Sequence, residues 1–222
     1  MKNIISFFLL YLIIFYSDFC KAGNEILCRN ESVDLGLSVI WSSCNLGASK
    51  STDYGSCFSW GETEEKTLPY IKASYKWMKK NKLLKYCTNK KRGKIDNKNV
   101  LENSDDVAFQ QLGGSWRIPT NSDFEELENN CEKVWYSNYD STGVSGILYL
   151  SKINGKSIFL PACGYHVYGY YMGDKKEGVY WTSNLNTMEP LTSYYYYFDS
   201  SRNKIDSFSR YYGCYIRPVM SK

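Results

Sequence analysis

The chain has 222 residues, which is enough for one ordinary domain with a hydrophobic core of its own. It contains a single histidine, and this count excludes metal sites of the histidine-rich kind. The formal net charge is only +4, and the basic excess is local rather than spread along the chain.

Residues 1–22 have the pattern of a secretory signal peptide. Lys2 supplies the positive charge, residues 4–16 form an apolar run, and Ala22 is a small residue before the expected cleavage point. The run is shorter than the roughly 20 apolar residues that a membrane span needs. The sequence therefore predicts an exported protein, extracellular or on the outer cell surface, in which residues 23–222 form a single domain.

Lipidation of Cys20 is an alternative to free cleavage. A lipoprotein signal has a small residue directly before the lipidated cysteine, and the bulky Phe19 at this position argues against lipidation. A membrane contact is expected only through such a lipid or through the signal segment itself.

Export would permit disulfide bonds between the other cysteines. There are seven of them, an odd number, so at least one thiol stays free or pairs between chains. No C-x-x-C motif is present, and the spacings leave the pairing open. The seven are Cys28, Cys44, Cys57, Cys87, Cys131, Cys163 and Cys214.

The first part of the predicted domain contains two short strands. Hydrophobic residues alternate over residues 32–41, which predicts a half-buried strand. Residues 57–63 predict a second strand, closed by glycine and acids. Residues 76–84 are consistent with a short helix, and residues 88–98 with a polar loop.

Residues 66–98 form a basic segment that holds 12 lysines or arginines and one acid, Asp96. Interleaved aromatic residues make nucleic acid, an anionic glycan or an anionic lipid conceivable contacts. The favoured interpretation is a solvated insertion. Because the chain is expected to be exported, no nucleic-acid partner is expected.

Two short helices are predicted in the middle of the chain. Residues 105–112 form the first, with acids in its first turn, where the helix dipole favours them, and Gly113 as its stop. The second runs to about residue 133, with Ser122 as the N-cap and Glu125 reaching back in a capping box.

A turn and a short strand lie between these helices. Trp116 is expected in the core, and Pro119 is expected to end the strand. Arg117 is either a buried partner of an acid such as Asp105 or Asp106, or a surface charge.

The rest of the chain is predicted to consist of short strands, with an Asn-Gly turn in the first hairpin. These strands cover residues 146–151, 157–160, 178–183, 193–198 and 209–219. Early strands, two central helices and then many strands predict an α+β fold with an antiparallel sheet rather than a βαβ architecture.

No motif for catalysis or cofactor binding is present. The sequence lacks G-x-S-x-G, G-x-x-x-x-G-K-[ST], G-x-G-x-x-G and an EF-hand loop. His166 lies in a predicted flexible aromatic loop, and Glu62, Glu64 and Glu65 form an acid cluster of a kind common on loops. The sequence therefore predicts no catalytic residue, no metal and no cofactor.

Several stretches, taken in order, resemble one family. They include FSWGET at residues 58–63 and GGSWRIPT at residues 113–120, with further matches at residues 33–47, 105–108, 158–165, 180–183 and 213–219. Over about residues 32–220, the chain resembles the Fibrobacter succinogenes major paralogous domain family of exported proteins from Bacteroidetes and related bacteria. The resemblance implies a C-type-lectin-like fold, with two short central helices, twisted antiparallel sheets and long loops.

In folds of this kind the late strands and loops carry the ligand surface. The ligand-binding residues that follow are Tyr168, Tyr170, Tyr171, Trp181, Tyr195, Tyr197 and Tyr211. The residues expected to be structural are Trp41, Trp60, Trp116, Arg117, Pro119 and Arg217.

Two departures limit what the resemblance implies. Glu189-Pro190-Leu191 lacks the asparagine of the calcium-dependent sugar-binding loop and follows Trp181 rather than preceding it, so sugar binding through calcium is not supported. No cysteine pair matches the copper site of the formylglycine-generating enzymes.

The tyrosine content and the resemblance together favour a non-catalytic, exported binding or cell-surface domain. Its expected partner is a glycan or a protein at the cell exterior. The alternatives are a structural subunit of a surface assembly and an enzyme with a cleft joining His166 to a carboxylate such as Glu62 or Asp199.

Overall fold

The computed structural model describes residues 31–67 and 69–222. The predicted signal peptide, Cys20 and Cys28 lie outside these residues. Within them, the chain is a mixed α+β fold that is mostly antiparallel sheet with two α-helices, which confirms the predicted class. No helix in the described ranges is long and apolar enough to cross a membrane.

The strands fall into four sheets. In chain order they are β1 (Ser32–Val33), β2 (Val39–Ser42), β3 (Met78–Lys79), β4 (Lys82–Leu83), β5 (Trp116–Arg117), β6 (Cys131–Tyr139), β7 (Val144–Ser151), β8 (Ser157–Pro161), β9 (Cys163–Val167), β10 (Tyr170–Asp174), β11 (Glu177–Leu185), β12 (Thr192–Asp199), β13 (Asn203–Ser209) and β14 (Val219–Ser221). The helices are α1 (Val107–Leu112) and α2 (Asn121–Asn130).

The largest sheet has five strands in the order β10-β9-β11-β12-β13. All neighbours in it are antiparallel except β9 and β11, which run parallel at Gly164 and Gly178. A three-stranded sheet has the order β6-β7-β8, and β3 pairs with β4. The fourth sheet, β1-β2-β14-β5, places the last strand between the first strands and the GGSWRIPT stretch.

The single strand predicted over residues 32–41 is wrong, because β1 and β2 fold back on each other. Gly36 takes a positive φ of 79° in the turn, and its N–H donates to the Asp34 carboxylate at 2.8 Å. Leu35 and Leu37 are buried in this turn. The alternation of buried apolar residues therefore continues through the turn, although these residues are not part of a strand.

Helix α2 begins two residues earlier than predicted, with Thr120 rather than Ser122 as the N-cap. The Thr120 hydroxyl accepts from the Asp123 N–H at 3.2 Å, and the Asp123 carboxylate accepts from the Thr120 N–H at 2.6 Å. The same carboxylate pairs with Arg117 at 2.7 Å. The capping box therefore uses Asp123 rather than Glu125.

Arg117 does not pair with Asp105 or Asp106, because both carboxylates have other partners. Asp106 caps α1 by accepting from the Phe109 N–H at 3.1 Å and also accepts from the Ile118 N–H at 2.8 Å. Asp105 accepts from the Tyr86 hydroxyl at 2.6 Å and pairs with a lysine.

Two hydrophobic clusters lie on the two faces of the five-stranded sheet. Tyr180 and Tyr196 belong to the cluster that contains Trp41, while Val179 and Trp181 belong to the other. Because β11 alternates its side chains between faces, consecutive residues enter different clusters.

Of the six residues expected to be structural, Trp41, Trp60, Trp116, Pro119 and Arg217 are buried. The Arg217 guanidinium donates to Asn45 Oδ1 at 2.9 Å, to the Ser42 carbonyl at 3.1 Å and to the Phe159 carbonyl at 2.8 Å. These bonds satisfy a cation that would otherwise be costly to bury.

The basic segment has its aromatic residues anchored in the core, whereas most of its lysines are exposed. Tyr75 and Tyr86 are buried, and the Tyr75 hydroxyl donates to the Trp60 carbonyl at 2.7 Å. The buried Arg210 guanidinium lies over the Trp60 ring at 4.7 Å and donates to the Tyr86 carbonyl at 3.1 Å. The helix predicted over residues 76–84 is instead the β3–β4 hairpin.

Candidate functional site

Among the described residues, the most exposed aromatic side chains stand on the β9–β10 hairpin, where the sequence predicts a flexible loop around His166. Its turn is formed by Tyr168 and Gly169, with φ values of 50° and 82°. Two positive φ values match the twist of an antiparallel hairpin. Tyr168 is 56% exposed and Tyr170 is 70% exposed, so both rings project from the tip.

Alternation along β10 divides its aromatic residues between two faces. Tyr170 and Met172 share one face, and Met172 stands opposite Tyr165. Tyr171 lies on the other face, where its ring stacks on His166 at 4.9 Å and its hydroxyl donates to the Cys163 carbonyl at 2.8 Å. Tyr171 is therefore separated from Tyr170, although the sequence grouped the two.

Phe208 on β13 joins the remaining aromatic residues into one surface. Its ring centroid lies 4.1 Å from that of Tyr195 and 5.2 Å from that of Tyr212. Tyr212 in turn lies 5.7 Å from Tyr168, and Tyr211 lies 6.5 Å from Tyr168. We call this set the tyrosine surface; its members are Tyr168, Tyr170, Met172, Tyr195, Phe208, Tyr211 and Tyr212.

Trp181 does not belong to the tyrosine surface, so its assignment as a ligand-binding residue is wrong. Its side chain is only 1% exposed, and Nε1 donates to the Phe58 carbonyl at 2.8 Å. Phe208 stacks on it at 5.1 Å with an angle of 26° between the rings. Trp181 therefore supports the tyrosine surface from below and cannot contact a ligand.

Charged residues lie beside the aromatic rings on the same face of the sheet. Asp206 stands opposite Tyr195, and Lys204 stands opposite Tyr197. The Tyr197 hydroxyl donates to the Asp199 carboxylate at 2.7 Å, so this ring extends the surface toward a charged edge. Aromatic faces with carboxylate and ammonium groups beside them offer stacking and directed hydrogen bonds together.

The phenols of Tyr195 and Tyr211 stay protonated at neutral pH. Burial raises the pKa values of Tyr195 and Tyr211 above the ordinary tyrosine value, and the Asp206 carboxylate adds to the shift at Tyr195. A protonated phenol can both donate and accept a hydrogen bond, whereas a phenolate can only accept.

His166 is in strand β9 and not in a flexible loop. It is half-buried, with its ring centroid 5.5 Å from that of Tyr70 and 4.9 Å from that of Tyr171. Burial lowers the pKa of His166, and the nearby Glu65 carboxylate opposes this shift only in part. The carboxylates suggested as its catalytic partners, Glu62 and Asp199, have other contacts.

A cleft of about 420 Å³ lies near the acid cluster of residues 62–65. Its Glu62 carboxylate pairs with Lys66 at 2.9 Å and accepts from the Lys76 N–H at 2.6 Å. Glu62 is therefore engaged by Lys66 and by the backbone, and is not a free carboxylate in this cleft.

The buried thiols are poor candidates for nucleophiles. Burial raises the pKa of Cys163 to about 12 and raises the pKa values of Cys57 and Cys214 well above the ordinary cysteine value. A thiol that does not ionise near neutral pH reacts slowly. Among the residues that the structure describes, no group of three or more histidines, cysteines, aspartates or glutamates is arranged to hold a metal ion.

Comparisons of the chain with protein-family models, with curated proteins and with solved structures give no match.

Sequence reasoning missed three members of the tyrosine surface, namely Met172, Phe208 and Tyr212. Phe208 lies in β13, which was not predicted, since residues 203–209 are mainly polar. The sequence holds a signal for two of them. Tyr212 directly follows Tyr211, and Met172 lies two residues after Tyr170, which in a strand places both side chains on the same face.

Proposed function

We propose that this chain is an exported, non-catalytic binding module with a C-type-lectin-like fold, and that its tyrosine surface recognises a glycan or a protein. The observation that carries this proposal is the continuity of the surface. Exposed rings of Tyr168 and Tyr170 project at the hairpin tip, and Phe208 connects Tyr195 and Tyr212 behind them.

Tyrosine suits this role because a large ring is presented with few rotatable bonds to immobilise. Exposed rings in a connected patch lose water-accessible apolar area when a ligand covers them. Met172, 44% exposed on the same face, adds a flexible apolar side chain that adapts to different contours.

The absence of catalysis is part of the proposal. Its support is that the single histidine of the chain packs between tyrosine rings and that the buried thiols of Cys57, Cys163 and Cys214 resist ionisation. The support for the C-type-lectin-like fold is the family resemblance, together with the two short helices and mostly antiparallel sheets of the described residues.

The experiment is a screen of the purified protein on glycan and protein arrays, followed by measurement of Kd for each hit. A Tyr168→Ser/Tyr170→Ser variant should weaken binding by about tenfold or more, the size expected when interface hot spots are removed. The stability of this variant should stay close to that of the wild type, because both rings are exposed.

The matched control is Tyr136→Ser, which removes an exposed tyrosine from β6, a strand of a different sheet. It should leave Kd unchanged. Equal affinity of the wild type and the Tyr168→Ser/Tyr170→Ser variant for every hit would refute the assignment of the surface. Turnover of a substrate that His166→Gln abolishes would refute the non-catalytic role.

A further inference from the structure

The basic segment of residues 66–98 plays no part in the tyrosine surface, and it builds a second surface of its own. The β3–β4 hairpin turns at Lys80 and Asn81, whose φ values of 47° and 62° are both positive. The chain then returns beside β4, where the Leu83 N–H donates to the Arg92 carbonyl at 2.7 Å. The hairpin and the turn that ends at Gly93 therefore lie side by side.

Alternation places lysines on the outer side of these segments. Leu83 points inward and is buried, so its neighbours Lys82 and Leu84 point outward. Lys79 stands directly opposite Lys82. Leu83 forms a parallel bridge with Gly93, and the residue that follows Gly93, Lys94, is exposed.

Most of the positive charge here has no carboxylate partner. Arg92 pairs with Glu189 at 3.0 Å, and Lys66, Lys85 and Lys98 also pair with acids. Among the described residues, no ion pair involves the other eight basic side chains of the segment, which are Lys72, Lys76, Lys79, Lys80, Lys82, Lys90, Lys91 and Lys94.

Asp96, the single acid of the segment, does not neutralise this surface. Its carboxylate accepts from the backbone N–H groups of Tyr86 at 2.7 Å, Cys87 at 2.9 Å and Lys98 at 3.2 Å. These bonds fix the loop that carries Lys90, Lys91 and Lys94. The acid therefore holds the lysines in place, and the surface fits a partner with many negative charges.

The side chains between the lysines indicate what kind of anionic partner fits. Leu84 is 53% exposed and Ile95, which directly follows Lys94 in the chain, is 42% exposed, so the segment exposes aliphatic side chains as well as lysines. The aromatic rings are turned inward or covered: Tyr86 is buried, and Lys76 and Lys85 lie 4.6 and 5.3 Å from the Trp77 ring. The surface thus lacks the open rings on which nucleobases stack.

We propose that this face, which we call the basic hairpin surface (Lys79, Lys80, Lys82, Leu84, Lys91, Lys94 and Ile95), binds an anionic lipid bilayer. The lysines lie against the negatively charged headgroups, and Leu84 and Ile95 enter the boundary between headgroups and acyl chains. Several lysines near an anionic leaflet, with aliphatic groups beside them, provide the two contributions that hold a protein reversibly at a membrane surface.

The test measures cosedimentation of the purified full chain with phosphatidylcholine vesicles that contain phosphatidylglycerol, and with vesicles of phosphatidylcholine alone. The Lys79→Glu/Lys82→Glu/Lys94→Glu variant should bind the anionic vesicles roughly tenfold or more weakly than the wild type. Raising the ionic strength from about 0.05 M to about 0.5 M should weaken the wild type in the same direction.

The matched control is Lys156→Glu/Lys175→Glu/Lys176→Glu, which reverses the same number of exposed lysines outside the segment. It should keep nearly all vesicle binding. All variants share the apolar N-terminal residues, so a difference between the two triple variants reports the basic hairpin surface alone. Equal vesicle binding by both triple variants overturns the proposal.

A second comparison separates a bilayer from a soluble polyanion. The Leu84→Ser/Ile95→Ser variant keeps every lysine, so it should bind heparin like the wild type but bind the anionic vesicles several-fold more weakly. Vesicle binding unchanged by this variant, or binding to heparin or single-stranded DNA without binding to vesicles, overturns the bilayer as the partner. Because these side chains are exposed, thermal melting should confirm that each variant is folded.

Discussion

Tyr196 and Tyr170 lie in the same five-stranded sheet, but the first is a core residue and the second is exposed to solvent. Tyr196 is on β12, which has neighbours on both sides, and its ring stacks on Phe124 of α2 at 4.4 Å. Tyr170 is on the edge strand β10 and is 70% exposed. The position of a strand in the sheet and the element that covers it decide which tyrosines are core.

The hydroxyl groups extend this contrast. Those of Tyr196 and Tyr149 meet the Glu128 carboxylate, and burial raises the pKa values of both tyrosines above the ordinary value. For Tyr170 the structure gives no hydrogen bond from the hydroxyl group within the described residues. A ligand can therefore use the polar end of Tyr170, whereas the polar end of Tyr196 is already committed to the fold.

The largest difference in stability should appear when these two tyrosines are truncated separately. Tyr196→Ala should lower the free energy of unfolding by about 3–5 kcal/mol, since it leaves a cavity beside Phe124 and removes one donor from Glu128. Tyr170→Ala should change it by no more than about 0.5 kcal/mol. Urea denaturation measures both. Similar losses in the two variants would show that the hairpin tip is packed and not free to bind.

The fold class follows from the sequence because strand alternation, glycine turns and helix stops are local signals. The hairpin of β7 and β8 is confirmed with its Asn154-Gly155 turn, and Gly155 has the positive φ of 70° that such turns need. Strand β11 is confirmed as well, as its apolar residues reach buried positions on both faces.

The errors have a common physical origin, which is that a local sequence pattern does not determine where the chain reverses or which segments pair. Trp181 and Tyr170 are both aromatic residues in strands, and only the pairing of strands far apart in sequence makes one central and the other an edge. Residues 32–41 alternate like a strand, yet Gly36 reverses the chain. Residues 76–84 are consistent with a short helix in the sequence, but the positive φ values of Lys80 and Asn81 form the turn of a hairpin.

A smaller loss of stability is expected at Phe208, which is less buried than Tyr196 and less exposed than Tyr170. Phe208→Ala should lower the free energy of unfolding by about 1–3 kcal/mol, because a half-buried ring that stacks on Trp181 is removed. It should also weaken ligand binding, because Tyr195 and Tyr212 lose the ring that holds them together.

Chemical denaturation gives the first quantity for Phe208→Ala, and the arrays described above give the second. Phe208→Leu is the matched control, as it keeps most of the apolar contact and should restore most of the stability. If Phe208→Ala binds every array ligand as tightly as the wild type, Tyr195 and Tyr212 are not part of one recognition surface.

The smallest effect concerns the opposite face of the hairpin, where His166 packs against Tyr70, Tyr171 and Tyr215 and lies near the Glu65 carboxylate. Burial lowers the pKa of His166 in the folded protein below the ordinary value of about 6.5 that it has in the unfolded chain. Between the folded and the unfolded pKa, the unfolded chain binds more protons than the folded protein. The contribution of His166 to stability is therefore complete above the unfolded pKa and is lost as the pH falls toward the folded pKa.

His166→Gln cannot titrate in this range, so it isolates the contribution of the histidine from that of the carboxylates. The Tm of the wild type should fall more than the Tm of His166→Gln when the pH is lowered from about 8 to about 5. Parallel curves would mean that the imidazole is equally solvated in the folded and unfolded chains. In that case the β9–β10 hairpin would be open on both faces, and Tyr171 would belong with Tyr170 as a residue free to meet a ligand.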